Sequence, residues 1–227
     1  MKFLIEERPS DSPFVERVWR AHSEQAGIFL SQAKIHGEIV VTRYQGKTIL
    51  TVRGPETKAT PMHFSWTGAE FFGITFKLGA FLSHLPPGQV LDLRDVNLPE
   101  ANSASFWLCG STWQFPDYDN ADTFVDRLVR EGLLMRDPVV EAMLQGYPHG
   151  MSLRSVQYRF LQATGLTQSM IQQIERARQA AILLEQGWSI SDVVYEAGYF
   201  DQPHLTRALK RFMGQTPAQL ARGSQPE

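Results

Sequence analysis

A short stretch near the C-terminus, DQPHLTRALKRFMGQTP (residues 201–217), gathers side chains that donate hydrogen bonds. Thr206, Arg207 and Lys210 fall at helical spacing, so one helix would carry them along one edge. An apolar stripe at spacings of three and four residues comprises Leu205, Ala208, Leu209, Phe212 and Met213. Guanidinium groups suit phosphate or the O6 and N7 edge of guanine, and a threonine methyl suits thymine. The stretch therefore predicts a helix with a buried stripe and an exposed edge that could bind nucleic acid.

A second, shorter helix must hold this edge in place. Ser189 followed by Asp192 is typical of a capped helix start, and Gly198 breaks the helix that follows. A new helix begins after Asp201, with Pro203 tolerated in its first turn. A short helix, a glycine turn and a basic helix form a helix-turn-helix, whose second helix can lie in the major groove of DNA. We expect Gln202, His204, Thr206, Arg207 and Lys210 to contact DNA.

A similar unit precedes it, which makes a plain solvated surface helix a weaker explanation. Residues 137–145 would form its first helix and residues 152–164 its second, capped by Ser152 and ended by Gly165. Its buried face would comprise Leu153, Val156, Phe160 and Ala163. Its DNA-contacting residues would be Arg154, Ser155, Tyr158 and Arg159. The segment GYPHG (residues 146–150) inserts a loose connection between the two helices, so we expect this unit to dock either weakly or mostly on phosphates.

A helix of about 19 residues between the units would span about 28 Å. One turn of DNA is about 34 Å long, so the two recognition helices could enter successive major grooves. We expect the chain to divide at residue 118, with residues 119–227 forming an all-α domain.

Residues 1–118 are β-rich by pattern. The runs GIFLSQA, GEIVVTRYQGKTILTVRG and FFGITFKLG are rich in β-branched and aromatic residues, and Gln45-Gly46 predicts a hairpin turn. From residue 120 the spacing of Phe124 and Leu128, continuing to Leu133 or Leu134, predicts a helix. The sequence thus predicts an α+β protein: a β-rich sensor or association domain, then two helix-turn-helix units joined by a linker helix.

Charge and composition set limits on function. The formal net charge of the 227 residues is −2. Residues 139–222 have a net charge of +2 and the remaining residues −4, an imbalance too small by itself to argue for nucleic-acid binding. No apolar run is long enough to cross a membrane, and the N-terminus MKFLIEERPSD lacks a signal-peptide pattern. We therefore expect a cytoplasmic protein, associated with the nucleoid when bound to DNA, and no membrane partner.

The N-terminal half offers weak signals of a ligand site and none of catalysis. Trp66, Phe72 and Phe76 could line a small-molecule pocket, although core packing explains most aromatic residues in a small β-domain. His36, Glu38 and His63 lack the clustered spacing of a metal site, so we expect no metal and no cofactor. Cys109, which is the sole cysteine, has no local histidine or basic partner, and we expect it to be buried.

The C-terminal residues also resemble a known family. The segment ERARQAAILLEQGWSISDVVYEAGYFDQPHLTRALKRFMGQTPAQL is similar to the DNA-binding domain of AraC/XylS bacterial transcriptional regulators. The similarity rests on Arg176, Ala197-Gly198-Tyr199, Asp201-Gln202, Lys210-Arg211-Phe212 and Thr216-Pro217. Ser152, Arg154, Gln157, Arg159, Phe160 and Gly165 resemble the family's first recognition helix, whereas Tyr158 stands where a basic residue is frequent.

The resemblance implies a non-enzymatic regulator that acts at promoters. Its partners would be double-stranded promoter or operator DNA, a small-molecule effector, RNA polymerase and, in a homodimer, a second copy of the chain. Two alternatives stay open. One is an enzyme whose β-domain binds a metal or a substrate, and the other is a protein-interaction module that has lost DNA binding.

Overall fold

The computed structural model describes residues 3–146 and 150–222. The predicted loose connection GYPHG lies partly outside them. The strands are β1 (Phe3–Arg8), β2 (Val15–Ser23), β3 (Gly27–Ser31), β4 (Glu38–Tyr44), β5 (Lys47–Arg53), β6 (Thr60–Phe64), β7 (Glu70–Phe76), β8 (Ala80–Leu82), β9 (Val96–Asn97), β10 (Glu100–Asn102), β11 (Ser105–Leu108), β12 (Ser111–Gln114) and β13 (Leu134–Arg136). The helices are α1 (Ala121–Arg130), α2 (Pro138–Leu144), α3 (Leu153–Thr164), α4 (Gln168–Glu185), α5 (Ile190–Glu196), α6 (Gln202–Phe212) and α7 (Pro217–Arg222).

The largest sheet has six antiparallel strands in the order β1-β2-β7-β4-β5-β9. Its predicted hairpin is confirmed: Tyr44 pairs with Lys47, and Gln45 and Gly46 have φ of +49° and +76°. Two positive φ values match the twist of the flanking strands, and glycine adopts one at no steric cost. Smaller sheets join β10-β11-β12, β8 with β13, and β3 with β6.

The core beneath the large sheet extends past the strands. Ile39, Leu50 and Ile74 are buried in it, and α1 adds Val125 and Leu128. The helix predicted after residue 120 is confirmed, but it ends at Arg130, and Leu134 pairs with Leu82 between β13 and β8. One short strand, β13, therefore interrupts the segment for which only helices were expected, because its apolar residues complete a sheet with β8 rather than a helix face.

The described residues divide into two compact units. The first comprises residues 3–28, 36–55, 63–146 and 150–167, and the second comprises residues 29–35, 56–62 and 168–222. The order of elements confirms the α+β class, with a β-rich region first and helices α3–α7 after it. The compact units do not follow the predicted limits 1–118 and 119–227, which stay a prediction about domains. Within the described residues, no helix combines the length and apolarity needed to cross a membrane.

Candidate nucleic-acid interface

Helices α5 and α6 form the predicted helix-turn-helix in the second compact unit. The Ser189 hydroxyl accepts a hydrogen bond from the Asp192 backbone N–H at 3.2 Å and donates one to the Asp192 carboxylate at 2.7 Å. Gly198 turns the chain with φ of +66°, which favours glycine. The Asp201 carboxylate then accepts a hydrogen bond from the His204 backbone N–H at 2.7 Å. These contacts confirm the predicted starts of both helices.

A side chain of α4 holds the turn before α6 in place. Arg176 donates a hydrogen bond to the Gly198 carbonyl at 3.4 Å, and its guanidinium lies 5.1 Å from the centre of the Tyr199 ring. The Tyr199 ring meets the His204 ring edge-on, with centroids 5.1 Å apart. Burial raises the pKa of Tyr199, and the positive charge of Arg176 opposes this shift. Sequence reasoning assigned no role to Arg176, since its contacts come from a turn 22 residues away.

One side of α6 is locked into the second unit. Leu205, Leu209, Phe212 and Met213 are at most 2% exposed, as the apolar stripe predicts, and Ala208 is partly buried. Large buried side chains in one stripe set both the rotation and the tilt of a helix. The opposite side of α6 is therefore presented in a single orientation.

That opposite side carries most of the predicted contact residues. Gln202, Thr206 and Lys210 form one row at spacings of four residues, and Arg207 lies in the neighbouring row. Gln202, Arg207 and Lys210 are exposed, and Thr206 is partly exposed. Neither Arg207 nor Lys210 forms an ion pair with an acidic group of residues 3–146 or 150–222, so both charges are available to a ligand.

His204 lies at the edge of this face. Its ring packs edge-on against Tyr199, it is only partly exposed, and its contact with DNA stays a prediction. Sequence reasoning missed Phe200, which directly precedes the Asp201 cap and is 91% exposed. The sequence signal that could have indicated Phe200 was a large aromatic residue directly between the predicted glycine turn and the Asp201 cap. The face thus consists of Gln202, Thr206, Arg207 and Lys210, with Phe200 at its start.

Helices α2 and α3 form the other helix-turn-helix, in the first compact unit. The Ser152 hydroxyl accepts a hydrogen bond from the Ser155 N–H at 3.2 Å, and Gly165 ends α3 with φ of +71°, as predicted. Val156, Phe160 and Ala163 are buried. The prediction for Leu153 is wrong, because it is 74% exposed in the first turn of α3, ahead of the packed stripe.

The four predicted contact residues of α3 are not equivalent. Arg154 and Tyr158 are exposed one turn apart, and Ser155 is exposed beside them. Arg159 instead forms a two-pronged ion pair with Asp137, with nitrogen–oxygen distances of 2.8 and 3.1 Å. Asp137 also caps α2 by accepting a hydrogen bond from the Val139 N–H at 2.9 Å. The structure therefore gives Arg159 a partner inside the protein that its sequence spacing did not reveal.

The three predicted pocket aromatics lie in different surroundings. Phe76 is 2% exposed in the core, and Trp66 stacks on Tyr44 with ring centroids 5.5 Å apart. Phe72 is 3% exposed and lines a cleft of about 640 Å³ in the first unit. Arg43, which also lines this cleft, forms no ion pair with any residue that the structure describes.

Charged groups surround the cleft. Arg20 is bound to Glu6 at 2.6 Å, and this hydrogen bond raises the pKa of Arg20. The Arg20 guanidinium also lies 4.6 Å from the centre of the Tyr118 ring. Charged and apolar side chains both line the cleft, which suits a small molecule with both kinds of surface.

The remaining chemical candidates are separate from one another. Within residues 3–146 and 150–222, no three His, Cys, Asp or Glu side chains are grouped to hold a metal ion. His36 Nδ1 lies 2.8 Å from the Phe76 carbonyl oxygen. The expectation of a buried Cys109 is wrong: it is exposed, because Cys109 and Gly110 form the turn of the β11–β12 hairpin at φ of +47° and +79°.

Comparisons with known proteins agree with the helical geometry. Residues 149–223 match the family model described as a helix-turn-helix domain. The HTH-type transcriptional regulator RipA of Corynebacterium glutamicum is 33% identical over 93 residues, which cover 40% of this chain. The aligned part spans 28% of that relative's own length.

The chain also aligns with a solved structure along nearly its whole length. A crystal structure of an apo ToxT variant from Vibrio cholerae aligns over 99% of this chain and 98% of its own, at 9% identity and a TM-score of 0.41. This likeness is too low to carry an argument.

Proposed function

Because residues 149–223 match a helix-turn-helix domain, we propose that the chain is a sequence-specific DNA-binding transcription regulator of the AraC type. The observation that carries the proposal is the exposed face of α6. Arg207 and Lys210 are exposed and form no internal ion pairs, and the buried Leu205, Leu209 and Phe212 fix the helix behind them. Double-stranded promoter DNA would be the principal partner.

The residues of this face suit different parts of DNA. Arg207 can donate two hydrogen bonds to guanine O6 and N7, and Gln202 can pair with the N6 and N7 edge of adenine. Thr206 and Phe200 offer apolar contact to a thymine methyl. Lys210 is a point charge suited to phosphate, where it would release counterions on binding. We propose that His204 acts indirectly, by supporting Tyr199 in the turn.

The first unit would add weaker contacts. Arg154, Ser155 and Tyr158 are exposed on α3 and suit phosphate or sugar groups. Helix α4, with 18 residues, spans about 27 Å, close to one turn of DNA. Two recognition helices in successive major grooves remain a prediction, which a footprint of two contacts one turn apart would support. Cytoplasmic location, homodimer formation and a contact with RNA polymerase also stay predictions. The proposal assigns no catalytic step to the chain.

Two single substitutions on α6 test the proposal. A binding site is first selected from random double-stranded DNA with the wild-type chain. Arg207→Ala should then weaken binding to the selected site by about 1–3 kcal/mol and binding to random DNA much less. Lys210→Ala should weaken binding to both DNAs, and the slope of log affinity against log salt concentration should become shallower by about 0.9. Between 50 and 200 mM salt, this change in slope corresponds to about a 3.5-fold difference in relative affinity.

Arg130→Ala is the matched control. Arg130 is an exposed cation at the end of α1, outside the helix-turn-helix, and its removal changes the net charge by the same amount. It should leave affinity and salt slope unchanged. Equal losses for Arg207→Ala on selected and random DNA would contradict base reading by Arg207.

A further inference from the structure

Two segments from the N-terminal part of the sequence belong to the compact unit of helices α4–α7. They are residues 29–35 and 56–62, which we call the clamp. In the sequence, the clamp segments follow β2 and β5 and lead into β4 and β7. Because the rest of those stretches belongs to the first unit, each clamp segment is joined covalently to that unit at both ends.

The clamp binds the C-terminal end of the recognition helix α6. The last four carbonyls of an α-helix have no partner within the helix. In α6 the Ala59 N–H donates to the Arg211 carbonyl at 2.7 Å, and the Ala33 N–H donates to the Phe212 carbonyl at 2.8 Å. Each clamp segment thus satisfies one free carbonyl of the helix that presents Arg207 and Lys210.

The two clamp segments are also tied to each other. Lys34 and Glu56 exchange two backbone hydrogen bonds, of 3.0 and 2.8 Å. The Glu56 residue is 3% exposed, and its carboxylate accepts hydrogen bonds from the Ser31 hydroxyl at 2.9 and 3.0 Å. The Lys34 ammonium lies 3.3 Å from the same carboxylate. A buried carboxylate is costly unless it is paired, so Glu56 favours the arrangement in which the segments stay together.

Side-chain packing completes the contact. Gly214 follows α6 with φ of +72°, and a Cβ at this position would lie 2.4 Å from a methyl carbon of Leu30. Ala33 and Ile35 are 1% and 7% exposed. Leu30 therefore occupies the space that any larger residue at position 214 would need, and the clamp follows the end of α6 closely.

We propose that the clamp is a positioning element for DNA reading and the route by which the first unit controls α6. The inference rests on the proposed function. Asp201 fixes the start of α6 and the clamp fixes its end, so moving the clamp would change the tilt of α6 and displace Arg207, the residue assigned to base reading. A change in the first unit that displaces either segment would then alter specific DNA binding without changing any DNA-contacting residue.

The test breaks the clamp in the full chain and measures two quantities. Glu56→Ala removes the buried carboxylate, and Ala59→Pro removes the N–H that binds Arg211. Amide hydrogen exchange reports on the clamp through Ala33 and on the sheet core through Val40. Titrations with the selected site and with random DNA give the specificity ratio. Glu56→Gln keeps an acceptor for Ser31 and serves as the conservative variant, and Glu100→Gln, on exposed β10, is the control.

Both clamp-breaking variants should lower the specificity ratio, which is the affinity for the selected site divided by that for random DNA, by about tenfold. Their affinity for random DNA should stay unchanged. Exchange at Ala33 should speed up by about tenfold in Glu56→Ala, with Val40 unchanged. Glu56→Gln should recover part of the ratio, and Glu100→Gln should match the wild type.

Faster exchange at Ala33 with an unchanged specificity ratio would overturn the inference, since the clamp would then only pack. An unchanged ratio in both Glu56→Ala and Ala59→Pro would overturn it as well. A wild-type chain without preference for any DNA would instead overturn the proposed function, so the two failures can be told apart.

Discussion

The ion pair between Arg159 and Asp137 leads to a prediction that separates packing from DNA binding on α3. Arg159→Ala removes both hydrogen bonds of 2.8 and 3.1 Å and leaves a carboxylate whose side chain is only 18% exposed. Exposed ion pairs contribute about 0.2–1 kcal/mol. A two-pronged pair with one partly buried partner is stronger, so we expect the free energy of unfolding to fall by about 1–2 kcal/mol.

The partner substitution isolates the pair. Asp137→Asn removes the negative charge but keeps a good N-cap for α2. Urea unfolding of wild type, both single variants and the double variant forms a double-mutant cycle, and we expect a coupling energy of about 1 kcal/mol. Arg154→Ala is the matched control on the same helix: it should change stability by less than about 0.5 kcal/mol and weaken DNA binding.

Arg159→Lys adds a second discrimination. A lysine keeps the charge that a phosphate contact needs but loses the planar fork that matches Asp137. We expect Arg159→Lys to lose stability and to keep its affinity for DNA. Unchanged stability in Arg159→Ala, together with weakened DNA binding, would refute the structural role and favour a direct DNA contact.

Two further predictions concern the first unit. Burial disfavours the charged form of Asp122, but hydrogen bonds from Ser10 and Arg8 outweigh it and hold its pKa below the usual value. The stabilisation should be fully present above about pH 4 and lost as pH falls through the lowered pKa. Asp122→Asn should cost about 0.5–1 kcal/mol at pH 7 and progressively less as pH falls below about 4, whereas a pH-independent cost would contradict this. A metabolite that binds the cleft should raise the melting temperature of wild type but not of Arg43→Ala. A metabolite panel that never shifts wild type would count against an effector.

Local features of the fold could be predicted from the sequence. Ser152, Ser189 and Asp201 cap their helices by accepting a hydrogen bond from the backbone N–H three residues ahead, so spacing alone reveals them. Gln45-Gly46 specifies its hairpin by backbone conformation in the same way. The buried stripe of α6 follows from helical period, and its opposite face follows with it.

Contacts between distant segments could not be predicted. Helical spacing places Arg159 among the exposed residues of α3, and only the fold shows that its guanidinium pairs with Asp137. His204 lies within the first turn of α6, where spacing does not show that its ring packs on Tyr199. β13 has a helical texture in sequence but completes a sheet with β8. The clamp joins residues 29–35, which overlap the predicted strand GIFLSQA, to residues 56–62, for which the sequence predicts no element. No local pattern indicates that either segment binds the end of α6.

The central claim is specific recognition of DNA by the helical region. Its most direct test is a mobility-shift titration of the wild-type chain at two salt concentrations. The DNA immediately upstream of its own gene is compared with random DNA of equal length. We expect the affinity for DNA to fall steeply as the salt concentration rises. We also expect the chain to bind a site in the upstream DNA, or the selected site, about a thousandfold more tightly than random DNA. Equal, weak binding to all of these DNAs would contradict it.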